Sequence, residues 1–138
     1  MNNIICIAGP TASGKTALAV ALAQELGGAV VSCDSMQIYR GMDIGTAKAD
    51  DRERRRVRHH LLDLVDPGVP FSAADYAAEA ERVLSDVTSR GRLPIFCGGT
   101  GLYLKAVLEG RHSDIPGSDP ALRERLTKEG TAPGGADR

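Results

Sequence analysis

The sequence predicts a three-layer α/β/α domain built on a doubly wound parallel sheet, and three observations support this. Short apolar runs alternate with helical patterns along the chain, which is typical of parallel sheets covered by helices on both faces. The 138 residues, of which 42% are apolar and 25% charged, suit one globular unit. A glycine-rich loop separates the first apolar run from the first helical pattern.

The first predicted strand, Ile4–Ala8, leads into a loop that fits the phosphate-binding pattern G-x-x-x-x-G-K-[ST]. The loop residues are Gly9, Pro10, Thr11, Ala12, Ser13, Gly14, Lys15 and Thr16. Glycines let backbone N–H groups turn towards phosphate oxygens, while Lys15 supplies a positive charge and Thr16 a hydroxyl for Mg²⁺. The sequence therefore predicts a P-loop NTPase-like fold with a polyphosphate site.

A helix over residues 14–26 follows, in which leucines recur every fourth residue from Leu18 and small residues lie between them. This composition suits a helix packed closely against a sheet. The next strand, Ala29–Cys33, ends at Asp34. A carboxylate at that position could coordinate Mg²⁺, act as a general base or cap the following turn.

The turn-rich segment Ser35–Lys48 predicts a functional loop, and Asp50–Arg58 predicts a short exposed helix. The chain has a net charge of −1, which argues against a basic nucleic-acid surface over the whole molecule. Five arginines nevertheless cluster at Arg52, Arg54, Arg55, Arg56 and Arg58. They form either a solvated helix face or a local contact with a phosphate backbone.

A third strand is predicted over His59–Val65, where the two adjacent histidines should point to opposite faces, one packed and one exposed. Both are expected to be structural, and His112 in a later loop supports no function. Ser72, with Asp75 three residues on, predicts a capped helix start.

The fourth strand, Leu93–Cys97, runs into the turn Gly98–Gly101 and a helix to Leu108. This turn is either a second anion-binding nest or an ordinary Gly-Gly turn. Because ligands bind at the carboxyl ends of parallel strands, the P-loop, Asp34 and this turn should share one cleft. A last helix is predicted over Ala121–Lys128.

The predicted domain covers residues 1–129, and residues 130–138 lack apolar periodicity and predict a disordered tail. Cys6, Cys33 and Cys97 lie in apolar runs without C-x-x-C spacing, which predicts buried free thiols. The first residues carry no basic segment, and the apolar run behind them is too short to cross a membrane. A cytoplasmic protein without membrane association is therefore expected.

Four segments together resemble the tRNA dimethylallyltransferase family, also called tRNA isopentenyltransferases. They are Gly9–Thr16, Asp34–Lys48, His59–Asp63 and Gly98–Tyr103, and the second is the most specific. The resemblance extends from Ile4 to about Lys128. It implies transfer of a dimethylallyl group from dimethylallyl diphosphate to N6 of adenosine 37, next to the tRNA anticodon, with release of diphosphate.

The resemblance also implies residue roles. The P-loop would bind the donor's diphosphate with Mg²⁺ and without nucleotide hydrolysis, and Asp34 would accept the N6 proton as general base. Contacts with tRNA would come from Asp34, Ser35, Met36, Gln37 and Thr100. Thr100 would touch the diphosphate or the adenosine, which must be flipped out of the anticodon stem-loop to react. Intact family members are monomeric, but the oligomeric state of this chain stays open.

The chain departs from the family in length, because family members are much longer and add a helical insertion that grips the anticodon stem-loop. Either a fragment or a loss of reading frame near Gly130 is expected, with little activity by itself. Three alternatives share the fold: an isopentenyltransferase acting on free adenine nucleotides, a small-molecule P-loop kinase, and a non-catalytic phosphate-binding remnant. The segments Asp34–Gln37 and His59–Asp63 favour the tRNA-acting branch.

Overall fold

A computed structural model describes residues 3–43, 45–109 and 120–131. The protein has a P-loop-like α/β fold. In chain order the elements are β1 (Ile5–Ala8), α1 (Lys15–Leu26), β2 (Gly28–Ser32), α2 (Asp51–Arg56), β3 (His59–His60), α3 (Ala73–Ser89), β4 (Leu93–Gly98), α4 (Gly101–Glu109) and α5 (Pro120–Thr131). The predicted fold class is confirmed.

The four strands form one parallel sheet in the order β1-β4-β2-β3. Ala8 of β1 pairs with Gly98 of β4, and Ser32 of β2 pairs with Cys97. The carboxyl ends of these three strands are therefore aligned at one edge of the sheet. The loops that follow β1 and β2 leave this edge on either side of β4, which the sequence by itself does not reveal.

Helix α1 packs on the sheet through its small residues. Ala19, Val20 and Ala23 are buried, whereas Leu18 and Leu26 are 52% and 51% exposed. Small side chains let the helix approach Val30 and Ile95 of the sheet closely. The close packing expected from the composition is present, but the leucine repeat does not mark the packed face.

The opposite face of the sheet is covered by α3 and α4. The buried Tyr76 of α3 donates its hydroxyl to the Ser32 carbonyl at 2.7 Å, and its ring stacks on Tyr103 of α4 with centroids 4.3 Å apart. The predicted helix cap is also present, since the Asp75 N–H donates to Ser72 Oγ at 3.1 Å. These contacts fix both helices against the carboxyl end of β2.

Strand β3 is shorter than predicted. It ends at His60, because Leu61 and Asp63 adopt left-handed conformations with φ of 61° and 54°. Val65, the end of the predicted strand, instead forms an isolated bridge with Tyr39. The left-handed backbone turns the chain out of the sheet and brings the Asp63 carboxylate towards Lys48.

The two histidines of β3 are both half-buried, so the prediction that one would be exposed is wrong. His59 Nδ1 lies 3.0 Å from the Val57 carbonyl oxygen, and Nε2 is buried without a hydrogen-bond partner among the described residues. Burial lowers the pKa of both rings. Both side chains are partly buried at the sheet edge that β3 forms, in line with the expected structural role.

Cys33 and Cys97 are buried free thiols, as predicted, but Cys6 is exposed. The reason is that β1 lies at an edge of the sheet. In the described part of the chain, every helix is too short or too polar to reach across a bilayer. Helix α5 continues to Thr131, and both His112 and residues 132–138 of the predicted tail lie outside the described residues.

Candidate active site

The P-loop follows β1 and ends where α1 begins. Ala12 and Gly14 adopt left-handed conformations with φ of 61° and 86°, which turn the chain tightly into the helix. The Pro10 carbonyl accepts hydrogen bonds from Ser13 Oγ at 2.7 Å and from Lys15 Nζ. Among the described residues, no side chain caps the start of α1. An uncapped helix start offers backbone N–H groups and a partial positive charge to an anion.

Asp34 follows β2 and is held by the turn that it starts. Its Oδ1 accepts hydrogen bonds from the backbone N–H of Met36 at 2.8 Å and of Gln37 at 3.3 Å. Within the described residues, Oδ2 accepts no hydrogen bond. One oxygen therefore fixes the orientation of the carboxylate while the other can accept a proton.

The P-loop and Asp34 line one cavity of about 260 Å³. One wall carries Lys15 and Thr16, and Asp34 and Gln37 lie on a second. The segment 46–48 closes the cavity, and Gly98 and Cys97 of β4 also line it. The structure thus brings together the two groups that the sequence marked for phosphate binding and proton transfer.

Gly98 allows β4 to approach the chain that leaves β2. A Cβ atom at this position would lie 2.1 Å from the Cys33 carbonyl oxygen, so a larger residue cannot fit without moving the backbone. The same carbonyl accepts a hydrogen bond from the Thr100 N–H at 3.1 Å. Because this N–H has an internal partner, it is not available to an anion, and the turn is not an open nest at Thr100.

Thr100 lies behind the Asp34 turn and is absent from the cavity wall. Its Oγ1 accepts a hydrogen bond from the Ser35 N–H at 2.9 Å and donates to Ser35 Oγ at 3.4 Å. Thr100 therefore holds the residue next to Asp34. Its direct contact with a diphosphate or a nucleotide stays a prediction.

Gln37 connects two walls of the cavity. Its Oε1 accepts a hydrogen bond from Ser32 Oγ at 2.8 Å, and its Nε2 donates to the Thr46 carbonyl at 2.9 Å. Of the four consecutive residues expected to touch tRNA, Asp34 and Gln37 line the cavity and Met36 is exposed. Ser35 is bonded to Thr100 instead.

An ion-pair network around the buried Lys48 side chain, which we call the Lys48 brace, was missed by sequence reasoning. The Lys48 side chain is 2% exposed, and Nζ donates to the Tyr39 carbonyl, to Asp43 and to Asp63, each at 2.6–2.8 Å. Asp63 also accepts a hydrogen bond from Arg54 at 3.0 Å. Lys48 thereby joins Tyr39 and Asp43 and is tied through Asp63 to α2 and to the chain after β3.

The charges in the brace stabilise each other. Burial of Asp63 opposes its ionisation, but the hydrogen bonds from Lys48 and Arg54 outweigh burial and hold the pKa of this carboxyl below its usual value. Burial likewise opposes the charge on Lys48, yet its two carboxylate partners raise the pKa of the amine. A signal existed in the sequence, since Lys48 and Asp63 end two of the four family-like segments with opposite charges.

The cysteines near the cavity are poor nucleophiles. Burial raises the pKa of Cys33 to about 11 and also raises the pKa of Cys97. Both thiols are therefore protonated at neutral pH, and a thiolate is the reactive species of cysteine. Neither thiol is a candidate nucleophile for chemistry in this cavity.

The described residues offer few ligands of their own for a metal ion in this cavity. Among residues 3–43, 45–109 and 120–131, no group of three or more His, Cys, Asp or Glu side chains is arranged to hold a metal. The Thr16 side chain lines the cavity. Mg²⁺ typically keeps several waters and binds through one or two protein ligands and phosphate oxygens. The donor set fits Mg²⁺ carried by a diphosphate.

Comparison with known proteins identifies the family. A sequence model described as IPP transferase matches residues 37–137. The tRNA dimethylallyltransferase of Anaeromyxobacter sp. (strain Fw109-5) is 58% identical over 129 residues, which is 94% of this chain and 43% of that protein. That of Geobacter sulfurreducens is 53% identical, over 96% of this chain and 42% of that protein.

Solved structures of related proteins support the same family assignment. The tRNA isopentenylpyrophosphate transferase of Bacillus halodurans superimposes with a TM-score of 0.79 at 44% identity, covering 97% of this chain and 44% of that one. A eukaryotic dimethylallyltransferase acting on tRNA superimposes with a TM-score of 0.77 at 32% identity, covering 99% of this chain and 34% of that one. This chain thus spans less than half the length of these relatives. It belongs to the IPP transferase family.

Proposed function

We propose that this chain is the part of a tRNA dimethylallyltransferase that binds the prenyl donor and carries the general base. The observation that carries the proposal is the single cavity lined by Lys15, Thr16 and Asp34. The names of the relatives support the choice of reaction, since they are tRNA dimethylallyltransferases and tRNA isopentenyltransferases. The donor would be dimethylallyl diphosphate and the acceptor N6 of adenosine 37 beside the anticodon.

In the proposed reaction the N6 nitrogen attacks C1 of the dimethylallyl group. The bond between C1 and the diphosphate oxygen breaks, and the diphosphate leaves with the bonding electrons. The N6 proton passes to Oδ2 of Asp34, which compensates for the weak nucleophilicity of an amine conjugated with the adenine ring. General-base assistance of this kind contributes about 10²–10⁴ in rate.

The P-loop stabilises the leaving diphosphate. Lys15 would exchange its bond with the Pro10 carbonyl for a charge-assisted bond with a diphosphate oxygen, which is the stronger interaction. The uncapped N-terminus of α1 adds backbone donors. Mg²⁺, if bound through Thr16 and the diphosphate, would supply further neutralisation of the charge that develops on the leaving oxygens.

The acceptor adenine has to leave its stack to reach Asp34. Bases stacked in a loop are inaccessible, and enzymes that modify them extrude the nucleotide at a cost of a few kcal/mol. The Asp34 turn is fixed by Thr100 and Gln37 before any substrate arrives. A base entering the cavity would therefore meet a carboxylate that is already oriented.

The test is a prenylation assay with labelled dimethylallyl diphosphate and an unmodified anticodon stem-loop. We expect little or no product from this chain by itself. A chimaera that joins its matched region to the remaining portion of the Geobacter sulfurreducens relative should transfer the label. In the chimaera, Asp34→Asn should lower kcat by about 10²–10⁴, since the amide keeps the turn but cannot accept the proton.

Two outcomes would contradict the proposal. Transfer by the chimaera that is unaffected by Asp34→Asn would remove the assigned base. Preference for free AMP over the stem-loop would place the chain with the nucleotide-acting branch. Rapid turnover by this chain without the additional portion would instead show that the matched region is sufficient for catalysis.

A further inference from the structure

We propose that Arg52, Arg55 and Arg58 form a contact surface for the phosphate backbone of the RNA that enters the cavity. We call these three residues the arginine surface. The inference rests on the proposed function for the identity of the RNA. It adds a binding surface outside the cavity and states how that surface contributes to affinity.

The five clustered arginines fall into two groups. Arg54 is bonded to Asp63 and to the Ala49 carbonyl, and Arg56 donates to Gln24 at 2.7 Å. Arg52, Arg55 and Arg58 are exposed, and their guanidinium groups have neither a hydrogen bond nor an ion pair in the part of the chain that the structure describes. The first group serves the fold, and the second is available to a partner.

Arg92 is also exposed and its side chain has no partner among the described residues, but other arginines are paired. Arg40, Arg82 and Arg90 are each paired with a carboxylate, at 3.0–3.1 Å. Residues 50–58 carry five arginines against Asp50, Asp51 and Glu53, so this segment has an excess of positive charge in a chain with a net charge of −1. Three of its guanidinium groups have no hydrogen-bond or ion-pair partner among the described residues. A local excess of positive charge favours binding of a polyanion at this segment, although the chain as a whole is not basic.

The segment that carries the arginine surface is held in place. A capping box joins Asp50 and Glu53 at the start of α2, and Arg54 anchors the helix to the Lys48 brace. Val57, directly before Arg58, is buried in the core. Because the backbone is already ordered, binding would cost mainly the entropy of the arginine side chains.

The arginine surface begins beside the cavity. Glu53 lines the cavity that holds Asp34 and Lys15, and α2 begins three residues after Lys48, which lines the same cavity. Arg52 and Arg55 are three residues apart and therefore lie on the same side of α2, and Arg58 lies just beyond the helix end, directly before β3. An RNA strand whose base occupies the cavity continues on both sides, and its neighbouring phosphates must lie on the adjoining surface. The arginine surface is positioned to contact them.

The test measures binding of a fluorescent anticodon stem-loop to this chain as a function of salt. Each phosphate contact contributes about 0.7–0.9 to the slope of log affinity against log salt concentration. Combined replacement Arg52→Ala, Arg55→Ala and Arg58→Ala should therefore reduce the slope by about 2. The matched control is Arg82→Ala, Arg90→Ala and Arg92→Ala, which changes net charge equally on α3 and in the turn between α3 and β4.

The control variant should keep the wild-type slope, and affinity for dimethylallyl diphosphate should be the same in all three proteins. Equal slopes for both triple variants would overturn the proposal, as would the absence of stem-loop binding by the wild-type chain at low salt. Equally strong competition by polyglutamate and by RNA would show an acidic protein surface as partner instead. Failure of the chimaera to prenylate the stem-loop, together with a reduced slope for the Arg52, Arg55 and Arg58 variant, would contradict the proposed function but not the arginine surface.

Discussion

Replacing Lys48 by methionine is expected to lower the free energy of unfolding by about 3 kcal/mol. Methionine has a similar length but cannot donate to the Tyr39 carbonyl, Asp43 or Asp63, which all bond to Nζ. The Asp63 carboxylate, only 31% exposed, would keep Arg54 as a partner and lose its closest cation. Chemical denaturation followed by circular dichroism measures the change.

Lys105→Met is the matched control. Lys105 is 66% exposed and lies 3.9 Å from Glu109, so its replacement should change stability by less than about 0.5 kcal/mol. The double variant Lys48→Met/Asp63→Leu should recover part of the loss, since apolar pairs can replace buried ion pairs. A Lys48→Met protein as stable as the wild type would show that the brace contributes nothing to folding.

The brace also predicts how stability varies with pH. The pKa of Asp63 is lowered in the folded protein by the hydrogen bonds from Lys48 and Arg54, which outweigh the effect of burial. Its contribution is therefore fully present above the usual aspartate pKa and is lost as the pH falls through the lowered folded value. In Lys48→Met, the free energy of unfolding should therefore depend less steeply on pH below the usual aspartate pKa than it does in the wild type.

Lys15→Ala is expected to weaken binding of dimethylallyl diphosphate by about 100-fold. A charge-assisted hydrogen bond to a phosphate contributes about 1.5–3 kcal/mol, which corresponds to a factor of about 10–100, and Lys15 also supplies long-range attraction. The only hydrogen bond of its side chain within the described residues is to the Pro10 carbonyl of its own loop. Stability should therefore change little.

Isothermal calorimetry in the presence of Mg²⁺ measures this affinity. Lys105→Ala is again a suitable control, since Lys105 is exposed on α4 and is not part of the cavity. Unchanged affinity of the Lys15 variant would show that the donor binds elsewhere. Strong binding of ATP without binding of dimethylallyl diphosphate would favour the kinase alternative.

Most helices and strands could be predicted because each depends on local patterns. The Ser72 cap, the P-loop and the β4 strand carry such signals within a few residues. Strand β3 could not be bounded in this way, since His59–Val65 is apolar enough for a strand. What ends it is a left-handed turn at Leu61, followed by the pairing of Asp63 with a lysine distant in sequence.

The cavity was predictable in part. Ligands of parallel α/β sheets bind at the carboxyl ends of the strands, and this was enough to predict that the P-loop and Asp34 lie together. The orientation of Thr100 towards Ser35 was not predictable, because it depends on the 2.9 Å contact between two loops that only the sheet order brings together. The Lys48 brace was missed for the same reason. Long-range polar contacts leave no periodic pattern in the sequence.

The most direct test of the central claim is the affinity of a bisubstrate compound, adenosine whose N6 is linked by a short alkyl chain to a diphosphate. If Lys15 and Asp34 face the same cavity, Lys15→Ala should weaken binding of both this compound and plain diphosphate. Asp34→Asn should weaken binding of the bisubstrate compound only. An Asp34→Asn protein that binds the bisubstrate compound as tightly as the wild type would contradict a shared site for base and diphosphate.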